Sequence, residues 1–382
     1  MSTTREIFDA EHEAFRQSAR TFFEKEVAPH HDQWEKDGIV PRDLWLKAGE
    51  AGLLCFDVAE EFGGPGVDDF RYNVILSEEQ TRAGTSGPGF SVHTDIIVPY
   101  LSSLANEEQK KRWLPGCVTG ESITAIAMTE PGAGSDLQGI RTAAVDKGDH
   151  YVLNGSKTFI SNGINADLVI VVARTNPDAG HQGISLLVVE RGMEGFERGR
   201  NLDKIGLHAQ DTAELSFSDV IVPKENLLGE EGSGFISLMM NLPQERLIIA
   251  AQAAAACDYM VEICLDYAKT REAFGKPIGK FQNTRFLIAE MATEARITRV
   301  FLDDCIAKHI KGELDATGAS MAKYWATELQ NKLVNQAVQL HGGYGYMMEY
   351  PVAKAYLDSR ISTIYGGTTE IQKEIIGRSL GL

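Results

Sequence analysis

Apolar residues along the first 120 positions recur at helical spacing. Between residues 9 and 27, Phe15, Ala19, Phe22, Phe23 and Val27 follow an i, i+4, i+7 pattern, which predicts an amphipathic helix with Asp9 as N-cap and Pro29 as its stop. Further helices are expected over 41–48, with Pro41 in the first turn and Gly49 at the end, and over 72–81. A short charged helix over 106–113 is expected to close at Pro115-Gly116, and Gly63-Gly64-Pro65-Gly66 reads as a loop. Near residue 123 the pattern changes. Val, Ile and Thr gather in short runs divided by Lys147-Gly148, Asn154-Gly155 and Asn162-Gly163, as in strands joined by turns. Asn154-Gly155 carries a two-residue hairpin signal, and strands are expected over 168–173, 184–190 and 214–222. From residue 235 the helical period returns over 235–270, 281–311 and 317–341, with the alanines of 250–256 making one helix thin enough for close packing. Shorter helices follow over 351–361 and after Gly366-Gly367, where Thr369 and Gln372 have capping-box spacing. The order is helices, sheet, helices: an α+β chain with a helical domain 1–122, an antiparallel β domain 123–231 and a helical domain 232–382.

Composition narrows the class. With 43% apolar and 24% charged residues and no low-complexity tract, the chain reads as soluble and globular. No run is expected to span a bilayer, the N-terminus has neither signal-peptide nor transit-peptide character, and a cytoplasmic location is the default. The 37 basic and 54 acidic residues give a net charge of −17, which opposes binding to nucleic acid or anionic membranes. Five cysteines without CxxC spacing argue against a disulfide framework or a zinc site, and no metal is expected. Cys257 and Cys264, seven apart in a helix, read as small buried apolar residues.

Candidate chemistry begins with residues 129–136, Thr-Glu-Pro-Gly-Ala-Gly-Ser-Asp, which follow the apolar run 123–128. Gly132 and Gly134 let backbone approach a ligand, and Thr129 and Ser135 add hydroxyls. The spacing is not a dinucleotide fingerprint, because Leu137 stands where a third glycine would be needed. A plain Pro-Gly turn is the alternative. Likewise Phe159 alone would be a core aromatic, Arg271 a helix-end ion pair, and Gln339 to Gly343 a helix C-terminus with its glycine cap.

Five segments taken together resemble the acyl-CoA dehydrogenase family of flavoproteins, from end to end. They are residues 127–136, the stretch Asn154-Gly155-Ser156-Lys157-Thr158-Phe159-Ile160-Ser161-Asn162-Gly163, and Arg271-Glu272-Ala273-Phe274-Gly275-Lys276-Pro277-Ile278 with Phe281-Gln282. Gln339-Leu340-His341-Gly342-Gly343-Tyr344-Gly345 and Ile364-Tyr365-Gly366-Gly367-Thr368 complete them. The resemblance implies a central β domain followed by a C-terminal four-helix bundle, and FAD as cofactor. Met128, Thr129, Gly134, Ser135, Phe159 and Ser161 would line the flavin, and Thr368 and Glu370 the dinucleotide. Arg271, Phe274, Gln282, Gln339, Gly342 and Gly343 would reach a neighbouring subunit's FAD in a homotetramer, a dimer of dimers. An acyl-CoA substrate and an electron-transfer flavoprotein as acceptor are implied in the same way.

Desaturating a thioester between Cα and Cβ requires a carboxylate in a dry pocket for the α-proton. Many family members place a Glu directly after the tyrosine of the C-terminal Tyr-x-Gly-Thr motif, where this chain has Gly366. The long-chain and isovaleryl branches place it in a Glu-Arg pair on a helix, and this chain has Gln244-Glu245-Arg246. Glu245 is therefore the expected base. The Gly366 backbone N–H is expected to bind the thioester oxygen, with Arg246, Ser135, Tyr365 and Arg378 as further substrate contacts. The pattern is most similar to the long-chain branch. A branched short-chain (isovaleryl-type) dehydrogenase, an acyl-CoA oxidase and a DNA-associated relative are the alternatives.

Overall fold

Asp9 caps the first helix as expected, its carboxylate accepting the N–H groups of Glu11 and His12 at the start of α1 (Ala10–Phe22) in the computed structural model, which describes residues 5–382. Pro29 does not stop the chain there. The helix widens through a π-type turn, Phe23–Val27, and continues as α2 (Ala28–Asp37) to a left-handed Gly38. Pro29 falls in the first turn of α2, where a missing N–H breaks no bond. Next come α3 (Arg42–Glu50), α4 (Phe70–Arg82), α5 (Val98–Leu104) and α6 (Glu107–Thr119). A second π-type turn, Val92–Ile97, feeds α5, a stretch the periodicity leaves without an expected element. Asn106 and Gln109 cap α6 reciprocally, and α6 runs past Pro115 to Gly120. Pro115 lies on the exposed face, while Trp113, Leu114 and Cys117 hold the helix to the core, so packing outweighs the lost hydrogen bond.

The middle of the chain forms β1 (Thr124–Ala127), β2 (Ala143–Asp146), β3 (His150–Ser161), β4 (Leu168–Arg174), β5 (Ile184–Glu190), β6 (Phe196–Asn201), β7 (Thr212–Pro223) and β8 (Leu227–Leu228). The sheet order is β6-β7-β3-β2-β4-β5-β8, with β1 also paired to β4. It is mixed rather than purely antiparallel, because β1 and β2 both run parallel to β4. Asn154-Gly155 is no hairpin turn either. It lies inside the long β3, where the ladder to β7 shifts register between Leu153 and Gly155. Asn154 exchanges hydrogen bonds with Asp219, and Gly155 (φ +150°) lets Thr142 approach to 2.5 Å from where a Cβ would sit. The turn falls instead at Lys147-Gly148, closed by Lys147 N–H donating to the His150 carbonyl at 2.9 Å.

α7 (Gly234–Thr270) is followed by the small hairpin β9 (Glu272–Ala273) and β10 (Lys276–Pro277), then α8 (Gln282–Ile310), α9 (Ala316–His341), α10 (Pro351–Ser359) and α11 (Thr369–Ser379). Ala250, Ala251, Ala253 and Ala254 of α7 are buried in one cluster with Ala322 and Ala326 of α9, so the two helices approach closely. Contrary to the expectation of no membrane-length run, α7 is long and apolar enough to cross a bilayer, but 67% of its most apolar window is buried inside the protein. It is the core helix. The last helix is capped by Thr368, whose hydroxyl accepts the Ile371 N–H, and not by Thr369, which donates to Glu328 at 2.6 Å. Gln372 turns its amide back onto the carbonyls of Gly366 and Gly367, at 3.0 Å each. All five cysteines are free and buried.

Gly155→Ala tests the interior placement of this glycine. A side chain there meets both a glycine-only backbone conformation and Thr142, and should cost about 2–3 kcal/mol of stability, read from urea denaturation midpoints.

Candidate functional site

The segment after β1 folds back on itself, with Glu130 and Ala133 exchanging backbone hydrogen bonds at 2.9 and 3.1 Å. Glu130 is spent on this turn. Its carboxylate accepts the N–H groups of Arg141 (2.7 Å) and Thr142 (2.9 Å) and the ammonium of Lys157 (2.9 Å). Lys157 is fully buried and also donates to the Met128 carbonyl at 3.0 Å. Burial pushes its ammonium down to about 8, against the pull of Glu130. A bulge in β3 completes the wall: the Thr158 N–H donates to the Thr129 carbonyl at 2.9 Å, and Phe159 adopts φ +62°. That conformation turns the Phe159 ring outward, 69% exposed, instead of into the core where an isolated strand aromatic would lie. Ser161 is half-buried opposite Thr212, and Gly134 and Ser135 are exposed, with nothing within 4 Å of a Cβ at Gly134.

A second group gathers elsewhere. Arg271 follows α7 directly, and Phe274, at the tip of the β9–β10 hairpin, is 95% exposed with φ +54°. Arg271, Gly342, Gly343 and Tyr344 line an open hollow of about 470 Å³ whose lining includes none of Thr129, Phe159 or Ser161. The Arg271 guanidinium lies 5.3 Å from the Tyr344 ring centre. Among the described residues it forms no ion pair. Gln282 opens α8 and Gln339 sits in the last turn of α9, both exposed. Thr368 caps α11 with Glu370 exposed in its first turn.

A third group surrounds α7. Glu245 and Arg246 are each only 5% exposed. Burial pushes the Glu245 carboxyl up to about 7, although the Tyr100 hydroxyl, donating to Oε1 at 2.7 Å, and Arg246 both pull it back. The Arg246 guanidinium contacts the Ser320 hydroxyl at 3.4 Å, and its Nε has no partner. Lys323 of α9 is fully buried and donates to the Gly367 carbonyl at 2.7 Å. Burial, with Arg246 nearby, lowers its ammonium to about 8. Gly366 has φ +63°, and a Cβ there would lie 2.5 Å from Ile249 Cδ1. Ile249 is one turn beyond Glu245, so the missing side chain at 366 and the carboxylate at 245 approach the same stretch of α7. Tyr365 is partly exposed. Arg378 is not drawn into this group: it lies three turns along α11 and pairs with Glu374 at 2.6 Å. Tyr100 and Lys323 escape the sequence reading. The only trace of Tyr100 is a hydroxyl at the end of the apolar run 96–99, where a buried tyrosine needs a partner.

His31, Asp32 and Glu35 also converge, but the Lys354 ammonium, 2.5 Å from Asp32 and 2.8 Å from Glu35, stands where a cation would.

An exposed aromatic beside an opened, hydroxyl-bearing turn, and a buried carboxyl raised to about 7, are the distinguishing features of these groups. Residues 9–121, 125–220 and 232–381 match the N-terminal, middle and C-terminal domains of acyl-CoA dehydrogenase, and the chain belongs to that family. It is 53% identical over 378 residues to the mitochondrial long-chain specific acyl-CoA dehydrogenase of Mus musculus, covering 98% of this chain and 88% of that one. Identity to mitochondrial isovaleryl-CoA dehydrogenase of Solanum tuberosum is 36%, over 98% and 91% of the two chains. An acyl-CoA dehydrogenase structure from Geobacillus kaustophilus superposes with a TM-score of 0.97 at 53% identity, covering 99% and 100%. The protein is thus an FAD-dependent oxidoreductase acting on acyl-CoA. The residues present suit FAD: an outward-facing ring at Phe159, hydroxyls at Thr129 and Ser161, and uncovered glycines at 132 and 134.

The raised Glu245 pKa makes a stability prediction that needs no substrate. The folded state holds the proton more tightly than the unfolded chain, so the ionised group destabilises the fold increasingly as pH rises from about 4.5 through 7. Glu245→Gln should therefore gain under about 1 kcal/mol over wild type at pH 5 and about 3 kcal/mol at pH 8, in parallel denaturant titrations.

Proposed function

We propose that Glu245 is the base that removes the α-proton of a medium- or long-chain acyl-CoA, in fatty-acid β-oxidation, giving the trans-2-enoyl thioester. The observation that carries this reading is a dry carboxyl raised to about 7, one helical turn from the residue that faces Gly366. A base poised near the working pH serves general-base catalysis better than an ordinary carboxylate. The α-C–H bond breaks with its proton going to Glu245, and the β-hydride leaves with its electron pair, so that a Cα=Cβ bond remains. Bound FAD supplies the acceptor for that hydride, at N5. The Gly366 N–H would hold the thioester oxygen, and Arg246 would meet the CoA moiety together with Ser135 and Tyr365. The partners of Glu130 argue against a second candidate carboxylate in the Thr129 turn, since it is committed to Lys157 and two backbone donors.

The exposed Phe274 and the Arg271 hollow support a homotetramer in which this surface serves a neighbouring subunit's FAD, with Gln282, Gln339, Gly342 and Gly343. An electron-transfer flavoprotein is the acceptor in this reading, and the free cysteines suit a reducing compartment such as the cytoplasm. The 53% identity to a long-chain enzyme against 36% to an isovaleryl enzyme favours the longer substrate.

Anaerobic mixing of the FAD-loaded protein with acyl-CoAs of graded length and branching tests the assignment. Wild type should bleach its flavin most rapidly with straight medium or long chains, and Glu245→Gln should slow bleaching by about 10²–10⁴-fold while retaining FAD. Wild-type rates in Glu245→Gln would remove Glu245 from the chemistry. Fastest bleaching with isovaleryl-CoA would reassign the substrate.

A further inference from the structure

The hydroxyl of Tyr100 reaches Glu245 from a different part of the fold. Tyr100 sits in α5, which follows the π-type turn Val92–Ile97, and it is wholly buried. A π-type turn adds a residue to the helical repeat and rotates everything after it, so it sets which side of α5 Tyr100 faces. The same turn is gripped from α7: the Gln244 side chain donates to the Asp95 carbonyl at 2.9 Å. Consecutive residues of α7 are thus tied to this segment, Gln244 through its side-chain amide to the Asp95 carbonyl and Glu245 through the Tyr100 hydroxyl at 2.7 Å.

We infer that Tyr100 is a positioning residue for the proposed base, holding Oε1 of Glu245 so that the other oxygen faces the α-proton and the ionised form is favoured at the working pH. This rests on the reading of Glu245 as base. The direction follows from the chemistry of the pair. A phenol buried against a carboxylate keeps its own proton, and its pKa is pushed upward by burial and by Glu245. Its O–H can therefore donate to the carboxylate, and because a bond to the charged group is stronger than one shared with the neutral acid, it favours the ionised form.

Few other titratable groups face this point. From α7 itself there is Arg246, and beyond it Lys323 of α9. From the turn before α5 there is Asp95, whose Oδ1 accepts from Asn73 of α4 at 2.7 Å. From α8, His309 contacts Gln244 at 3.1 Å. The α4 cluster of Glu78 with Arg299 and Asp258 lies more than three turns further along α7. Tyr100 is the one of these whose polar atom bonds the Glu245 carboxylate in the hydrogen-bond pattern of the site.

Tyr100→Phe removes that hydroxyl and keeps the ring. Two readouts separate the inference from the reading beneath it. The first is the pH midpoint for protonation of the Glu245 carboxyl, from the infrared C=O band that Glu245→Gln abolishes. The second is the acid limb of anaerobic flavin bleaching by an acyl-CoA that wild type oxidises. In Tyr100→Phe both should move upward by about one to two pH units, the size of one charge-assisted hydrogen bond, slowing bleaching at pH 7 by about five- to fifty-fold. Unchanged FAD content and thermal midpoint at pH 5, where the carboxyl is protonated, would show an intact fold. An unmoved infrared midpoint overturns the role of Tyr100. A midpoint that moves while the bleaching limb stays overturns Glu245 as the base.

Discussion

A carboxylate taken out of water loses several kcal/mol of solvation unless donors replace it. At Glu245 the replacement is partial: one tyrosine hydroxyl at 2.7 Å and one neighbouring guanidinium that is itself short of partners. Much of the architecture around α7 serves to keep this compromise dry. The alanine-rich stretch just beyond Glu245 lets α9 approach, and that approach carries Ser320 to Arg246 and Lys323 to the Gly367 carbonyl. A larger residue at Ala250 or Ala254 would push α9 away and admit water to the group whose ionisation depends on its exclusion.

The contrast with Glu130 shows that burial alone does not make a base. Glu130 is also largely buried, yet it receives two backbone N–H groups and an ammonium, and these hold its carboxyl below the usual range despite burial. It stays ionised, and its oxygens are occupied. Glu245, with a single neutral donor, titrates near neutrality. Donor count separates an acid that fastens a turn from one suited to taking a proton.

The main elements were legible because their patterns run uninterrupted along the chain. The helices α7, α8 and α9 follow from the 3.6 repeat, β7 from alternation, and β4 and β5 from short continuous apolar runs bounded by turns. What escaped had causes that local pattern does not encode. The two π-type turns leave no compositional mark, so Pro29 read as a stop and the segment holding Tyr100 went unassigned. Asn154-Gly155 read as a turn because glycine served a different purpose there, making room for Thr142 inside a strand. Pro115 misled in the same way, since packing of Trp113 and Leu114 overrode it. Glu245 was reachable only by setting its carboxylate against the absence of one at Gly366, whereas Tyr100, separated from it by 145 positions, needed the fold.

Gly366 carries more than an absence. With φ +63° the position already disfavours a side chain, and Ile249 fills the space a Cβ would enter. Its carbonyl is held by Gln372, and the next carbonyl by both Gln372 and Lys323. The turn is therefore fastened through its backbone from two helices, leaving little freedom to rotate and accommodate a larger residue. A carboxylate restored at 366 would meet Ile249 one turn from Glu245, and two acids confined there would raise each other's pKa. In the reading proposed here, the base on α7 and the glycine at 366 belong together: the left-handed backbone at 366 disfavours a side chain, and the tip of Ile249 occupies the space beside it.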